Sequence, residues 1–103
     1  MEPNMQLSII IPCHGRQEVL NTLLGQLISQ TAGLDNNIVE VIVIDDGSDP
    51  ALIVDNAKGI KLLRHEQRLG APAAREYGFL EARGKFIHFH DSDDLLGHQW
   101  VER

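Results

Sequence analysis

The sequence is short of several things, and each shortage excludes a class of protein. It holds a single cysteine in 103 residues. One cysteine cannot close an internal disulfide, so the chain reads as a protein of a reducing compartment. No Cys/His spacing of the zinc-binding kind is present. Basic residues are scarce: nine Lys and Arg stand against fifteen Asp and Glu, a net charge of −6. That balance argues against a broad electrostatic grip on nucleic acid or on an anionic membrane. No apolar run approaches the roughly 20 residues needed to cross a bilayer. The opening MEPNMQ has no basic stretch followed by an apolar one, so no signal peptide is expected. Internal repeats, low-complexity linkers and the glycine-rich fingerprints of dinucleotide sites and P-loops are also missing.

What remains is ordinary globular material, 43% hydrophobic and 23% charged, enough for one domain with one modest core. Its hydrophobic period changes along the chain. Residues 7–11 form a short run of branched apolar residues closed by Pro12, which reads as a strand buried on both faces. Val19, Leu20, Leu23, Leu24, Leu27 and Ile28 then fall on one helical stripe, predicting a helix over about 17–31 with Gly33 as its stop. A second buried strand is expected over 39–44, a short helix over 51–57 behind Pro50, and a brief third strand over 60–63. A helix over 73–82 with small residues on one side and a strand over 86–89 complete the series. Strands without polar alternation, separated by helices, predict a parallel α/β sheet covered on both faces, a Rossmann-like half-sheet of four strands.

In open α/β sheets, ligands sit beyond the carboxyl ends of the strands. Three of those ends carry polar clusters: Pro12-Cys13-His14-Gly15-Arg16, Asp45-Asp46-Gly47-Ser48 and Asp91-Ser92-Asp93-Asp94. Asp, Ser and Gly after a strand are also ordinary turn and cap residues, the plain reading of any one cluster alone. Two acidic clusters at neighbouring ends, however, repel each other unless a cation or hydrogen bonds compensate. Asp-Ser-Asp-Asp offers hard oxygen ligands suited to Mg2+ or Mn2+, and such a metal would let an acidic protein hold a diphosphate. The first helix, opening on Gly15-Arg16-Gln17-Glu18, brings its N-terminal amides to the same edge.

These residues together resemble the N-terminal, nucleotide-binding half of an inverting GT-A glycosyltransferase of family 2. The matching segments are SIIIPCHGR at 8–16, VEVIVIDDGSD at 39–49 and LGAPAAREYGFLEARGKFIHFHDSDDLL at 69–96. The resemblance implies a nucleotide-sugar donor, usually a UDP-sugar, and a saccharide or lipid-linked acceptor. It implies that Pro12 and the backbone near His14 border the base, with His14 in the place of a stacking tyrosine. Arg16 matches the basic residue closing that motif. Asp46 would meet the uracil or ribose with Asp45 in support, and Arg75 would lie near the diphosphate or anchor the acidic loop. Asp91, Ser92 and Asp93 carry the DXD motif: Asp93 would hold the metal, Asp91 would bind ribose, sugar or the same metal, and Asp94 would assist. Glu76, Arg68 and Gly15 each stand where the family usually has Asn.

The implied reaction is sugar transfer to a hydroxyl with inversion, which also needs a general base. In the family that base lies well after the DXD motif, so the expectation is a donor half that lacks base and acceptor site and is inactive in transfer by itself. The same resemblance implies a cytoplasmic location, at the membrane face in many relatives. Two rival readings come from other classes. A receiver-type signalling domain shares the length and a paired acidic end, but needs a phospho-accepting Asp and a late Lys. A non-catalytic nucleotide-binding module would use the same residues without turnover. Among the remaining residues, Cys13 reads as a small packed thiol rather than a nucleophile. Arg64 reads as a solvated cation, Arg68 as close enough to meet phosphate, and His88 and His90 as partly exposed neighbours of the ligand edge.

Overall fold

The computed structural model describes residues 6–30, 39–55 and 60–90. Four strands, β1 (Leu7–Cys13), β2 (Val39–Asp46), β3 (Ile60–His65) and β4 (Phe86–Phe89), alternate with two helices, α1 (Gln17–Gln30) and α2 (Ala71–Glu81). The sheet order is β3-β2-β1-β4 and the three pairings are parallel. This is the Rossmann half-sheet expected from the sequence. It differs from the 2-1-3 order of receiver-type domains.

β1 runs two residues beyond the expected end, through Pro12 to Cys13. The Ile10 carbonyl accepts from the His90 amide on the β4 side. Pro12 shares the orientation of Ile10, so its missing N–H falls on that side and no bond to β2 is lost.

Both faces of the sheet are dry. Ile9, Ile11, Cys13 and Val43 pack against Leu20, Leu23, Leu24 and Leu27, which form the predicted stripe of α1. Ile10, Ile42, Ile44 and Ile87 face α2, where Ala74 is fully buried. Small residues let α2 lie close to the sheet: a Cβ at Gly78 would sit 2.5 Å from Ile10 Cγ2 and 2.7 Å from Ile44 Cδ1. Pro72 falls in the first turn of α2, which opens at Ala71, two residues before the expected start. The first-turn amides of a helix have no partner within it, so the proline costs nothing there.

One expected element is absent. Residues 51–55 are not helical. Their backbone is claimed by side chains: the Leu52 amide donates to Asp45 Oδ2 at 2.9 Å. The Ile53 amide donates to Gln17 Oε1, and Gln17 Nε2 donates back to the Ile53 carbonyl, both at 2.8 Å. In a helix over 51–57 those two amides would lie in the first turn, whereas the Ile53 carbonyl would accept from within the helix; here Gln17 holds that carbonyl instead, and the Asp49–Pro50 bond in the same turn is cis. The rest of that expected helix and the stop at Gly33 lie outside the described residues.

The opposite end of the sheet is closed by a buried polar network. Ser8 Oγ donates to Glu40 Oε2 at 2.5 Å, and the Arg83 amide donates to the same oxygen at 2.6 Å. The Gly84 amide donates to Ser8 Oγ at 2.7 Å. The turn between α2 and β4 is thereby tied to β1 and β2. No described helix is long and apolar enough to cross a membrane.

Candidate functional site

Parallel register delivers the candidate residues to one edge. Cys13 pairs with Asp45 at the ends of β1 and β2, and Asp45 and Asp46 pair with Arg64 and His65 at the end of β3. Asp45 is fully buried. Its Oδ1 accepts from the Ser48 amide at 2.9 Å, and its Oδ2 accepts from the Leu52 amide and from Arg64 Nη1. Arg64 Nη2 also donates to the Ser48 carbonyl at 3.0 Å. Burial by itself pushes the Asp45 carboxyl up, but the Ser48 hydroxyl, the Leu52 and Ser48 amides and Arg64 hold it below its ordinary value. Asp45 therefore shapes the turn behind the site.

Asp46 is buried and lies one step nearer the open edge. Oδ1 meets His65 Nδ1 at 2.8 Å and accepts from the Leu69 amide at 2.9 Å. Oδ2 accepts from the Gly70 amide at 2.8 Å. Burial again works upward; the Leu69 amide, His65 and the Gly70 amide outweigh it, and the Asp46 pKa is lowered. The His65 ring is held from its other side by Tyr77, stacked at 5.2 Å and 15°. Asp46 thus pins the loop leading into α2. Gly47 completes the seat: its φ of +75° suits glycine, and a Cβ there would lie 2.4 Å from the Arg68 amide nitrogen.

The first cluster is fixed to the second. His14 Nδ1 lies 2.8 Å from the Asp46 carbonyl oxygen, so it carries the proton and the ring is oriented. The Gly15 amide donates to Ser48 Oγ at 2.6 Å. Arg16 takes a φ of +64°, a left-handed conformation unusual for a non-glycine residue, while its carbonyl accepts from the Leu20 amide at the start of α1. Strain of this kind persists where surrounding contacts over-determine it, often at functional sites. Cys13 is buried, with Sγ 3.4 Å from the Gly15 carbonyl oxygen, and serves as packing.

At this edge lies an open cavity of about 210 Å³ lined by Pro12, Cys13, His14, Arg16, Asp46, Arg68 and Ala71. Pro12, His14, Arg16 and Asp46, four of the expected site residues, are brought together here. Asp45 stands behind them. Arg75 is half-buried one turn along α2 and does not line the cavity. Asp91, Ser92, Asp93 and Asp94 lie outside the described residues. Among the described residues no group of three or more His, Cys, Asp or Glu is placed to hold a metal.

Two readings of individual residues change. Arg64 is not a solvated cation but the half-buried partner of the buried Asp45; register, rather than sequence proximity, brings it there. His88 and His90 are buried, not partly exposed: His88 is in register with Ile9, and His88 Nε2 lies 3.0 Å from His90 Nδ1. His65 had no supporting pattern in the sequence, since its partner is nineteen residues away on a neighbouring strand.

Comparison with known proteins agrees with this architecture. Residues 8–103 match the family described as Glycosyl transferase family 2. An uncharacterized glycosyltransferase of Haemophilus influenzae is 35% identical over 107 residues, covering 97% of this chain and 41% of its own length. The crystal structure of S. aureus TarS 1-349 in complex with UDP-GlcNAc superposes with a TM-score of 0.71 at 27% identity, covering 88% of this chain and 27% of that one. A mannosyltransferase from Pyrobaculum calidifontis, in complex with GDP-Man and Mn2+, shares the fold at 17% identity with a TM-score of 0.69, covering 91% of this chain and 30% of that one. The chain thus spans well under half the length of these proteins. A parallel half-sheet with polar clusters at its carboxyl edge, matched by the family model over residues 8–103, makes this chain a member of glycosyl transferase family 2.

Proposed function

We propose that this chain is the donor-binding half of an inverting, metal-dependent glycosyltransferase that takes a nucleotide-diphospho-sugar, with UDP as the carrier. The cavity at the ends of β1 and β2 carries the proposal, because it gathers Pro12, His14, Arg16 and Asp46 where an open α/β sheet binds its ligand. Support comes from the TarS structure that holds UDP-GlcNAc on the same fold.

Each residue has a task that follows from its position. His14, oriented by the Asp46 carbonyl, sets an imidazole face beside Pro12 for stacking on the base. Asp46, its carboxylate held by His65 and two amides, presents a fixed acceptor to the base or ribose. Arg16 brings a cation to the mouth of the cavity. Arg75, on α2, anchors the acidic loop or meets the diphosphate.

The hard oxygens of Asp91, Ser92, Asp93 and Asp94 fit Mg2+ or Mn2+, with Asp93 and Asp91 as the holding residues. When bound, the metal supplies Lewis-acid neutralisation of charge on the leaving diphosphate. A relative in fold binds GDP-Man with Mn2+. The general base and the site for a saccharide or lipid-linked acceptor are assigned to the part of these longer relatives that the 103 residues do not cover. Work at the cytoplasmic face of the membrane belongs to the same proposal.

Calorimetric titration of UDP with Mn2+ tests the reading. Binding that disappears in Asp93→Ala supports it; no response to UDP or GDP in a folded sample, with or without metal, overturns it. Robust sugar transfer by the 103-residue chain with an acceptor would overturn the division between donor half and acceptor half.

A further inference from the structure

Arg68 is exposed, yet it stands on a loop whose neighbouring amides are held by a buried carboxylate. Gly47 lies directly beneath it, where a Cβ would stand 2.4 Å from the Arg68 amide nitrogen and 3.1 Å from its Cα. The next two amides, of Leu69 and Gly70, both donate to the Asp46 carboxylate. Arg68 is therefore clamped from below and from its C-terminal side, while its side chain lines the same cavity as Arg16 and His14. Among the described residues it has no carboxylate partner. The one carboxylate in the cavity lining, Asp46, is already engaged by His65 and the two amides. Two guanidinium groups thus border one small cavity in a protein of net charge −6.

We infer that Arg68 is a donor-binding residue of this chain, its guanidinium meeting the diphosphate across the cavity from Arg16. A guanidinium fork matches phosphate oxygens, and an anchored backbone reduces the ordering cost of the contact. The inference rests on the donor reading above and adds to it a contact at a position where an arginine replaces the asparagine usual in the family.

The experiment is calorimetric titration of UDP and GDP, and of uridine and guanosine, into the wild-type chain and Arg68→Gln in the presence of Mn2+. Lys61→Gln, which removes an exposed cation paired with Glu81, controls for net charge. Arg68→Gln is expected to weaken the nucleoside diphosphate about five- to tenfold, the size of one ordinary hydrogen bond, since solvent at an exposed site softens the charge. The nucleoside alone should bind both proteins equally, Arg68→Lys should recover part of the loss, and Lys61→Gln should match wild type. Unchanged diphosphate affinity in Arg68→Gln overturns the inference and leaves the donor reading standing. An equal loss for the bare nucleoside also overturns it, since that marks a contact to the base or ribose, or a structural role, rather than one to the diphosphate. Wild type that binds neither diphosphate overturns both readings, and does so before any variant is compared.

Discussion

His65 Nδ1 and Asp46 Oδ1 meet at 2.8 Å across the ends of β3 and β2, and the same carboxylate takes the amides of Leu69 and Gly70. A single side chain thereby joins two strands to the entrance of α2. Asp46→Asn is nearly isosteric but turns an amino group toward one of these donors. It is expected to destabilise the chain by about 1–3 kcal/mol, the cost of an unsatisfied buried donor. Urea denaturation with an unchanged m-value would show it, and UDP affinity should fall in the same variant.

The two lowered carboxyls set the acid limit of the fold. Asp45 and Asp46 both have folded-state pKa values below the ordinary 3.8. The unfolded chain therefore binds more protons than the folded one as the pH drops. Their stabilisation is complete above the unfolded value and is lost as pH falls through the lowered folded values. Stability measured by denaturant midpoint should hold near neutrality and decline from about pH 5 downward. Asp45→Asn should lower stability at neutral pH and flatten that acid limb; an unaltered acid limb would count against Asp45 as a contributor.

Arg64 should matter more than an exposed arginine would. Arg64→Met leaves Asp45 buried with its amide donors but without its cation. The Arg64 side chain is one-third exposed, so solvent softens the loss to about 1–2 kcal/mol. The Lys61–Glu81 pair, exposed on both sides, should give less than about 0.5 kcal/mol when Lys61 is removed. Thermal melts of the two variants side by side check the ranking.

At the far end of the sheet, Glu40 Oε2 accepts from both Ser8 Oγ and the Arg83 amide. Glu40→Ala should cost about 1–3 kcal/mol by stranding the buried Ser8 hydroxyl and the half-buried Arg83 amide. Arg83→Ala should be almost silent, because the bond to Glu40 uses the Arg83 backbone and the side-chain pairing is long and largely exposed. Equal losses in the two variants would place the stabilisation in the ion pair instead.

Gly78→Ala opposes two effects. Helix propensity favours alanine by about 1 kcal/mol. The added Cβ, however, would lie 2.5 Å from Ile10 Cγ2, and overpacking of this kind costs about 1–3 kcal/mol. Net destabilisation is expected, with a lower denaturation midpoint.

The strands and α1 were legible because their apolar runs report burial directly, and the polar edge was legible because three strands end in Asp, His or Arg. Arg64 and His65 were not. Their partners sit nineteen residues back, and only the register Asp45 to Arg64 and Asp46 to His65 makes them neighbours. The segment after Pro50 has helix-compatible residues, yet Gln17 holds the Ile53 carbonyl that a helix would use, while Asp45 and Gln17 fix the Leu52 and Ile53 amides. Tertiary hydrogen bonds overrode local propensity there. At Arg68 the sequence showed a departure from the family, while the clamp that anchors it depends on contacts between distant segments.

The grip of Asp46 on the Leu69 and Gly70 amides also has a consequence in time. Surface loops ordinarily trade their amide protons with water far faster than core strands do. Here two loop protons are tethered to a buried carboxylate at the end of a central strand. They should exchange on the slow schedule of β2, so the approach to α2 opens only when the sheet edge itself opens.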